Sequence, residues 1–174
     1  MQHLLLTAQV AGVVLLLYAA WRDIATRLIP DEISIAIAAI GLAVRLMEGW
    51  QAALSSLGVA AAIFLVLLLL AMRGALGGGD VKLAAALAVG LPPGAAWDFI
   101  VLSVLIGGVL GVIYILARRQ AGPARLRLPA GLRQPLLRRV AVAEAWRLGR
   151  GGPLPYAVAI AIGGCTVLLT NAGA

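Results

Sequence analysis

Two carboxylates carry the chemistry that this sequence offers. Asp23 and Asp80 lie 57 positions apart, each where an apolar stretch meets a short polar one. Two carboxylates brought close together cannot both ionise, because the first charge repels the second, so the pair holds one shared proton. The ionised member can take a proton from water while the protonated member gives one to a peptide carbonyl and later to the leaving amine. That hydrolysis needs no metal and no cofactor. The only histidine, His3, is far from both aspartates along the chain, and the only cysteine, Cys165, falls in the middle of an apolar segment. A multi-cysteine zinc site and an internal disulfide are excluded, and Cys165 reads as a packing residue.

The other five acids have plainer duties. Asp31 and Glu32 follow Pro30 at the head of an expected helix, where carboxylates complement the positive helix end. Glu48 can pair with Arg45 on the outer surface, Asp98 is expected as an N-cap, and Glu144 lies among arginines. Asp23 could likewise pair with Arg22 or Arg27, and Asp80 could cap the helix after Gly77-Gly78-Gly79. Three glycines cost more backbone entropy than a cap requires, and their use is to let a chain bend and another approach.

Positioning these residues falls to membrane helices. Of 174 residues, 63% are hydrophobic and 12% charged, with a mean hydropathy of +1.04, against roughly 45–50% and about 25% in soluble domains. An ordinary water-soluble fold is excluded. A helix crossing ~30 Å of hydrocarbon needs ~20 residues, so about six spans fit, with no room for a second, soluble domain. The charge-free segments run Leu4 to Trp21, Ile33 to Val44, Gln51 to Met72, Leu83 to Trp97, Phe99 to Ala117 and Leu154 to Thr170. These runs are continuous and rich in Leu and Ala, without the alternation of barrel strands, so the expected fold is an all-α polytopic membrane protein. A single membrane-embedded domain over residues 1–174 follows. Arg22 and Arg27 come after the first apolar run, which marks a retained span and not a cleaved signal peptide.

Basic residues set the orientation. With the N-terminus outside, linkers 22–32, 73–82 and 118–153 lie inside and hold 2, 2 and 9 of the 14 Lys and Arg, leaving only Arg45 outside. The expectation is N-out and C-out, with Trp50 and Trp97 at the outer interface and Trp21 at the inner one. Asp23 and Asp80 then share one depth at the inner face. The arginine-rich loop over 118–153 reads as a cytoplasmic anchor on anionic lipid, not as a nucleic-acid site, with an interfacial helix over Leu136 to Leu148.

Gly77-Gly78-Gly79-Asp80-Val81-Lys82-Leu83 resembles the Gly-x-Gly-Asp motif of GxGD membrane aspartyl proteases, in the extended form of the type IV prepilin peptidases. Asp23-Ile24-Ala25-Thr26-Arg27-Leu28-Ile29-Pro30 resembles that family's first catalytic segment, and Pro153 to Ile160 followed by Gly163-Gly164 is similar to its last span. The resemblance implies that Asp23 and Asp80 are the catalytic pair, with Gly77, Gly79, Lys82 and Pro30 as supporting motif positions. It also implies a prepilin substrate cut on the cytoplasmic side of its hydrophobic segment, at the bacterial inner membrane. Larger members add a cysteine-bearing cytoplasmic domain and N-methyltransferase activity. Lacking those cysteines, this chain resembles the short, peptidase-only branch that processes Flp/Tad-type pilins. Presenilin-type relatives place one aspartate inside a span, whereas Asp23 beside Trp21 and Arg22 suits a juxtamembrane bond.

Two other classes of function compete with this reading. A small transporter or channel subunit using Asp23 and Asp80 for a cation or protons would place its acids nearer the midplane and break helices in corresponding halves. A noncatalytic scaffold would use Gly107-Gly108 and Gly111 as a packing face, but has no need of two acids at one depth.

Overall fold

In hydrocarbon a backbone must satisfy its own hydrogen bonds, so apolar stretches as long as these fold as helices. The computed structural model describes residues 2–121 and 154–171. These residues form α1 (Gln2–Thr26), α2 (Asp31–Glu48), α3 (Trp50–Met72), α4 (Gly78–Val89), α5 (Pro93–Ala121) and α6 (Tyr156–Asn171), and no strand. Most of the arginine-rich loop, including Glu144 and the expected interfacial helix, lies outside the described residues.

Successive helices alternate in direction. At one end, Lys82 near the start of α4 meets Asp31 at the start of α2, and Gly79 meets Ile29 just beyond α1. At the other end, Arg45 Nε donates to Ser56 Oγ at 2.8 Å and Ser56 Oγ donates to the Leu91 carbonyl at 2.8 Å, joining the end of α2, the start of α3 and the residue after α4. A cavity of about 420 Å³ lined by Gln9, Arg45, Pro92 and Asn171 puts the start of α1 and the end of α6 at that same end.

Among the described residues, three helical stretches are long and apolar enough to cross a membrane: His3–Thr26, Trp50–Met72 and Pro93–Ala117. Their outward faces are apolar, with Leu65, Leu69, Val104 and Leu105 exposed. α4 is different. Its 12 residues reach only about 18 Å, and Val81, Leu83, Ala84, Ala86, Leu87 and Ala88 are all buried. It packs against α2, α3 and α6, the innermost element of the bundle. Leu16 of α1, Leu83 and Leu87 of α4, Phe99 of α5, and Ile160 and Val167 of α6 make the core.

Two expectations need correction. The apolar run Leu83 to Trp97 is not one helix, because α4 stops at Val89 and α5 starts at Pro93. Pro92 and Pro93 lack N–H donors, so a helix cannot run through them, while proline suits a helix's first position. Asp98 therefore lies inside α5 and is not an N-cap. Arg45 does pair with Glu48, but it is only 7% exposed and not a surface residue. The Ser56 hydroxyl and the Ala52 carbonyl complete its hydrogen bonding, as a buried guanidinium requires.

α2 and the C-cap residue of α4, Gly90, meet where neither has a side chain. A Cβ on Gly41 would sit 2.6 Å from the Gly90 Cα, and one on Gly90 would sit 2.7 Å from the Gly41 Cα. Backbone cannot yield there as a flexible side chain can, so Gly41→Ala must separate the two helices, at a cost of about 1–3 kcal/mol. Thermal unfolding in detergent should show a lowered Tm and reduced folded yield for Gly41→Ala. Gly58→Ala, with nothing within 4 Å of the new methyl, should match the wild type.

Candidate active site

Asp23 lies in the last turn of α1 and Asp80 is the third residue of α4, and the two are 7% and 8% exposed. The glycine run explains how Asp80 is held. Gly77 is the N-cap, in an extended conformation at φ −77° and ψ 144°, and Gly78, Gly79 and Asp80 make the first turn. The Asp80 carboxylate folds back to accept a hydrogen bond from the Gly77 N–H, the position that the acid of a capping box occupies. Its Oδ2 would lie 2.9 Å from any Cβ added to Gly77. Oδ1 is buried and has no hydrogen-bond partner among the described residues. One oxygen of the carboxylate is thus left without a hydrogen bond beside the capping interaction.

The spacing of the motif has a steric reading. A Cβ on Gly79 would press on the Ile29 Cβ at 3.3 Å, in the connection between α1 and α2, whereas one on Gly78 would meet nothing within 4 Å. The first and third glycines are constrained and the second is free. Pro30, at φ −60° and ψ 138°, is the N-cap residue of α2 and leads into Asp31 and Glu32 in its first turn. Asp31 does more than complement that helix end, because both its carboxylate oxygens lie 2.9 Å from Lys82 Nζ. Both side chains are more than half exposed, so the pair ties α2 to α4 at a modest ~0–1 kcal/mol. Lys82 follows Asp80 by two positions, which turns it roughly 200° around the helix, away from the aspartates.

Asp80 lies outside the three stretches long enough to span a membrane, and its pKa is pushed up to about 7. Burial is the largest cause and the charge of Asp23 the second, while the Gly77 N–H and the charge of Arg27 act in the opposite sense. The structure therefore brings Asp23 and Asp80 into electrostatic contact, and Asp80 is raised to where it can hold a proton near neutral pH. His3 begins α1 at the opposite end, and Cys165 is a half-buried free thiol in α6 beside the core. No group of three or more His, Cys, Asp or Glu side chains that could hold a metal ion occurs among the described residues.

The sequence offers Arg27 as a partner for Asp23, but it does not single out the Asp31–Lys82 pair. Arg27 is four residues beyond Asp23, the spacing of neighbours on a helix face, which is the available signal for it. No comparable spacing links Asp31 to Lys82, since their contact comes from the packing of two helices.

A helical membrane protein with two buried, electrostatically coupled carboxylates at one end of its bundle has the equipment of a hydrolase that works at a membrane. Residues 10–116, more than half of the chain, match the type IV leader peptidase family, so the chain belongs to that family and is a membrane peptidase. No curated protein and no solved structure matches it.

The three glycines are expected to separate by substitution. Gly77→Ala drives a methyl into the Asp80 carboxylate and Gly79→Ala drives one into Ile29, and each should lower peptidase activity at least about tenfold, equivalent to ~1.4 kcal/mol in the barrier. Gly78→Ala should stay within a few-fold of wild type. Activity assays on detergent-solubilised variants of matched folded yield check the order.

Proposed function

We propose that this peptidase is an aspartic endopeptidase that removes the short leader of prepilins, with Asp23 and Asp80 as its catalytic pair. The observation that carries the proposal is the burial of both carboxylates at one end of the bundle, with Asp80 raised to about 7. In this reading Asp80 enters the reaction protonated and Asp23 ionised. Asp23 takes a proton from water as the oxygen attacks the scissile carbonyl, and Asp80 gives its proton to the carbonyl oxygen. Collapse of the tetrahedral intermediate breaks the C–N bond, and the proton on Asp23 goes to the leaving amine. The proton from the intermediate's hydroxyl returns to Asp80, restoring the starting state. Gly77, Gly79 and Pro30 support the backbone around the pair, and Lys82 holds α4 to α2 through Asp31.

The chain is read as six spans, N-out and C-out, in the bacterial inner membrane, with the aspartates at the cytoplasmic face and the substrate cut beside its hydrophobic segment. Supporting this, the helices alternate in direction, and Arg22, Arg27, Arg73 and Lys82 gather at the aspartate end while Arg45 sits at the other. α4, too short to cross alone, is enclosed by α2, α3 and α6. The arginine-rich loop is assigned to the anionic inner leaflet. The substrates are assigned to Flp/Tad-type pilus assembly.

Asp23→Asn and Asp80→Asn should each abolish cleavage of a leader-bearing prepilin, because the members of a dyad act as a unit. Asp31→Asn, which removes only an exposed ion pair, should keep activity within about tenfold of wild type. Mass spectrometry of the products checks all three. An active Asp23→Asn or an inactive Asp31→Asn overturns the assignment.

A further inference from the structure

The segment that follows Asp23 is built around a conformation that side chains other than glycine rarely adopt. Arg27 has φ +57°, the left-handed region, where glycine would fit without steric cost. Its N–H donates to the Asp23 carbonyl at 2.8 Å, closing α1 directly behind the aspartate. Thr26 Oγ1 bonds the Arg22 carbonyl at 2.8 Å and the Leu28 carbonyl at 3.2 Å, fixing the residues on either side. The turn therefore determines where the Arg27 side chain goes. Its Nε and Nη1 are shut off from solvent, and its charge acts on Asp80 across the gap between α1 and α4.

Arg27 as a whole is half-buried, and a guanidinium with two of its nitrogens shielded is stabilised by an opposite charge nearby. Among the described residues at this end, the other charged groups are as follows. On α4 and α2, Lys82 and Asp31 neutralise one another, and Glu32 is exposed. Beyond α3, Arg73 is exposed, and on α1 Arg22 precedes Asp23 with its Nε also shielded. On α5 and α6 the titratable side chains toward this end are Tyr114, Tyr156 and Arg119, the last exposed.

We infer that Arg27 is a positioning residue of the peptidase site, its left-handed backbone placing a shielded guanidinium beside the aspartate pair so that the pair is held at one proton. The charge arithmetic supplies the reason. With one shared proton the pair carries −1 and the pair with Arg27 is neutral. With no proton the three groups carry −1, and with two protons +1, and both charged states are disfavoured by burial. The guanidinium thereby favours the protonation state in which one carboxylate can accept a proton and the other can donate one. It touches neither water nor substrate in this role, and acts through Asp23 and Asp80. The inference rests on the reading of those two residues as the catalytic pair.

Asn tolerates the left-handed region better than other uncharged side chains, so Arg27→Asn removes the cation while keeping the turn, and Arg27→Lys keeps a cation. Removing a positive charge makes a proton harder to lose, so both limbs of the pH–rate profile for leader cleavage should move to higher pH in Arg27→Asn, by about one unit. Arg27→Lys should return them toward the wild-type position. The same midpoint is read without substrate by infrared titration of the protonated carboxyl C=O band in purified protein, which should move upward in Arg27→Asn alone. Arg27→Gln carries the same expectation if Arg27→Asn is not recovered folded. An unmoved carboxyl midpoint in the neutral variant, or a Lys variant displaced as far as the neutral one, overturns the inference. A midpoint that moves in protein that cleaves no prepilin supports the electrostatic role of Arg27 and counts against the peptidase assignment of the pair.

Discussion

Burying two carboxylates side by side is the constraint on which the rest of this structure depends. Each loses hydration that water would supply, and each repels the other, so the ionised pair is disfavoured twice over. Holding one proton relieves both penalties, and Asp80 is pushed up to about 7 by them. A surrounding bundle must therefore keep the two aspartates together despite their repulsion. The hydrogen bond from the Gly77 N–H and the nearby charge of Arg27 limit how far the pKa rises, leaving it near neutrality and useful for proton transfer.

The fold meets this demand with a short helix placed inside longer ones. α4 has apolar residues on every side and is held by α2, α3 and α6. It is pinned at both ends. At the aspartate end, Gly79 packs on Ile29 and Lys82 binds Asp31. At the far end, Gly90 lies against Gly41, and the Leu91 carbonyl accepts from Ser56, which in turn accepts from Arg45. Without side chains at the Gly41–Gly90 crossing, α2 and the end of α4 can approach to backbone contact.

Much of this is legible in the amino-acid sequence. Continuous apolar runs announce an all-helical membrane protein, and the glycine run before Asp80 marks a place where the backbone has to come close to something. What escapes comes from two physical sources. The break at Gly90 to Pro93 is hidden because prolines carry no charge, so tracing charge-free segments passes over them and puts the boundary at Asp98. The burial of Arg45 and the Asp31–Lys82 contact depend on how helices pack, and neither leaves a periodic mark on one segment. Arg27 is visible as a neighbour of Asp23, but its left-handed backbone and its shielded guanidinium are not.

In the proposed reaction two carboxylates sharing one proton activate water to hydrolyse the peptide bond, with no bound metal. The most direct test is the rate of prepilin cleavage by purified protein as a function of pH in the presence of EDTA. Deprotonation removes the general acid, so full activity is expected in the chelator, with a rate that falls as pH rises through about 7. Activity lost in EDTA and restored by a divalent cation, or a rate that continues to climb well above neutral pH, would contradict it.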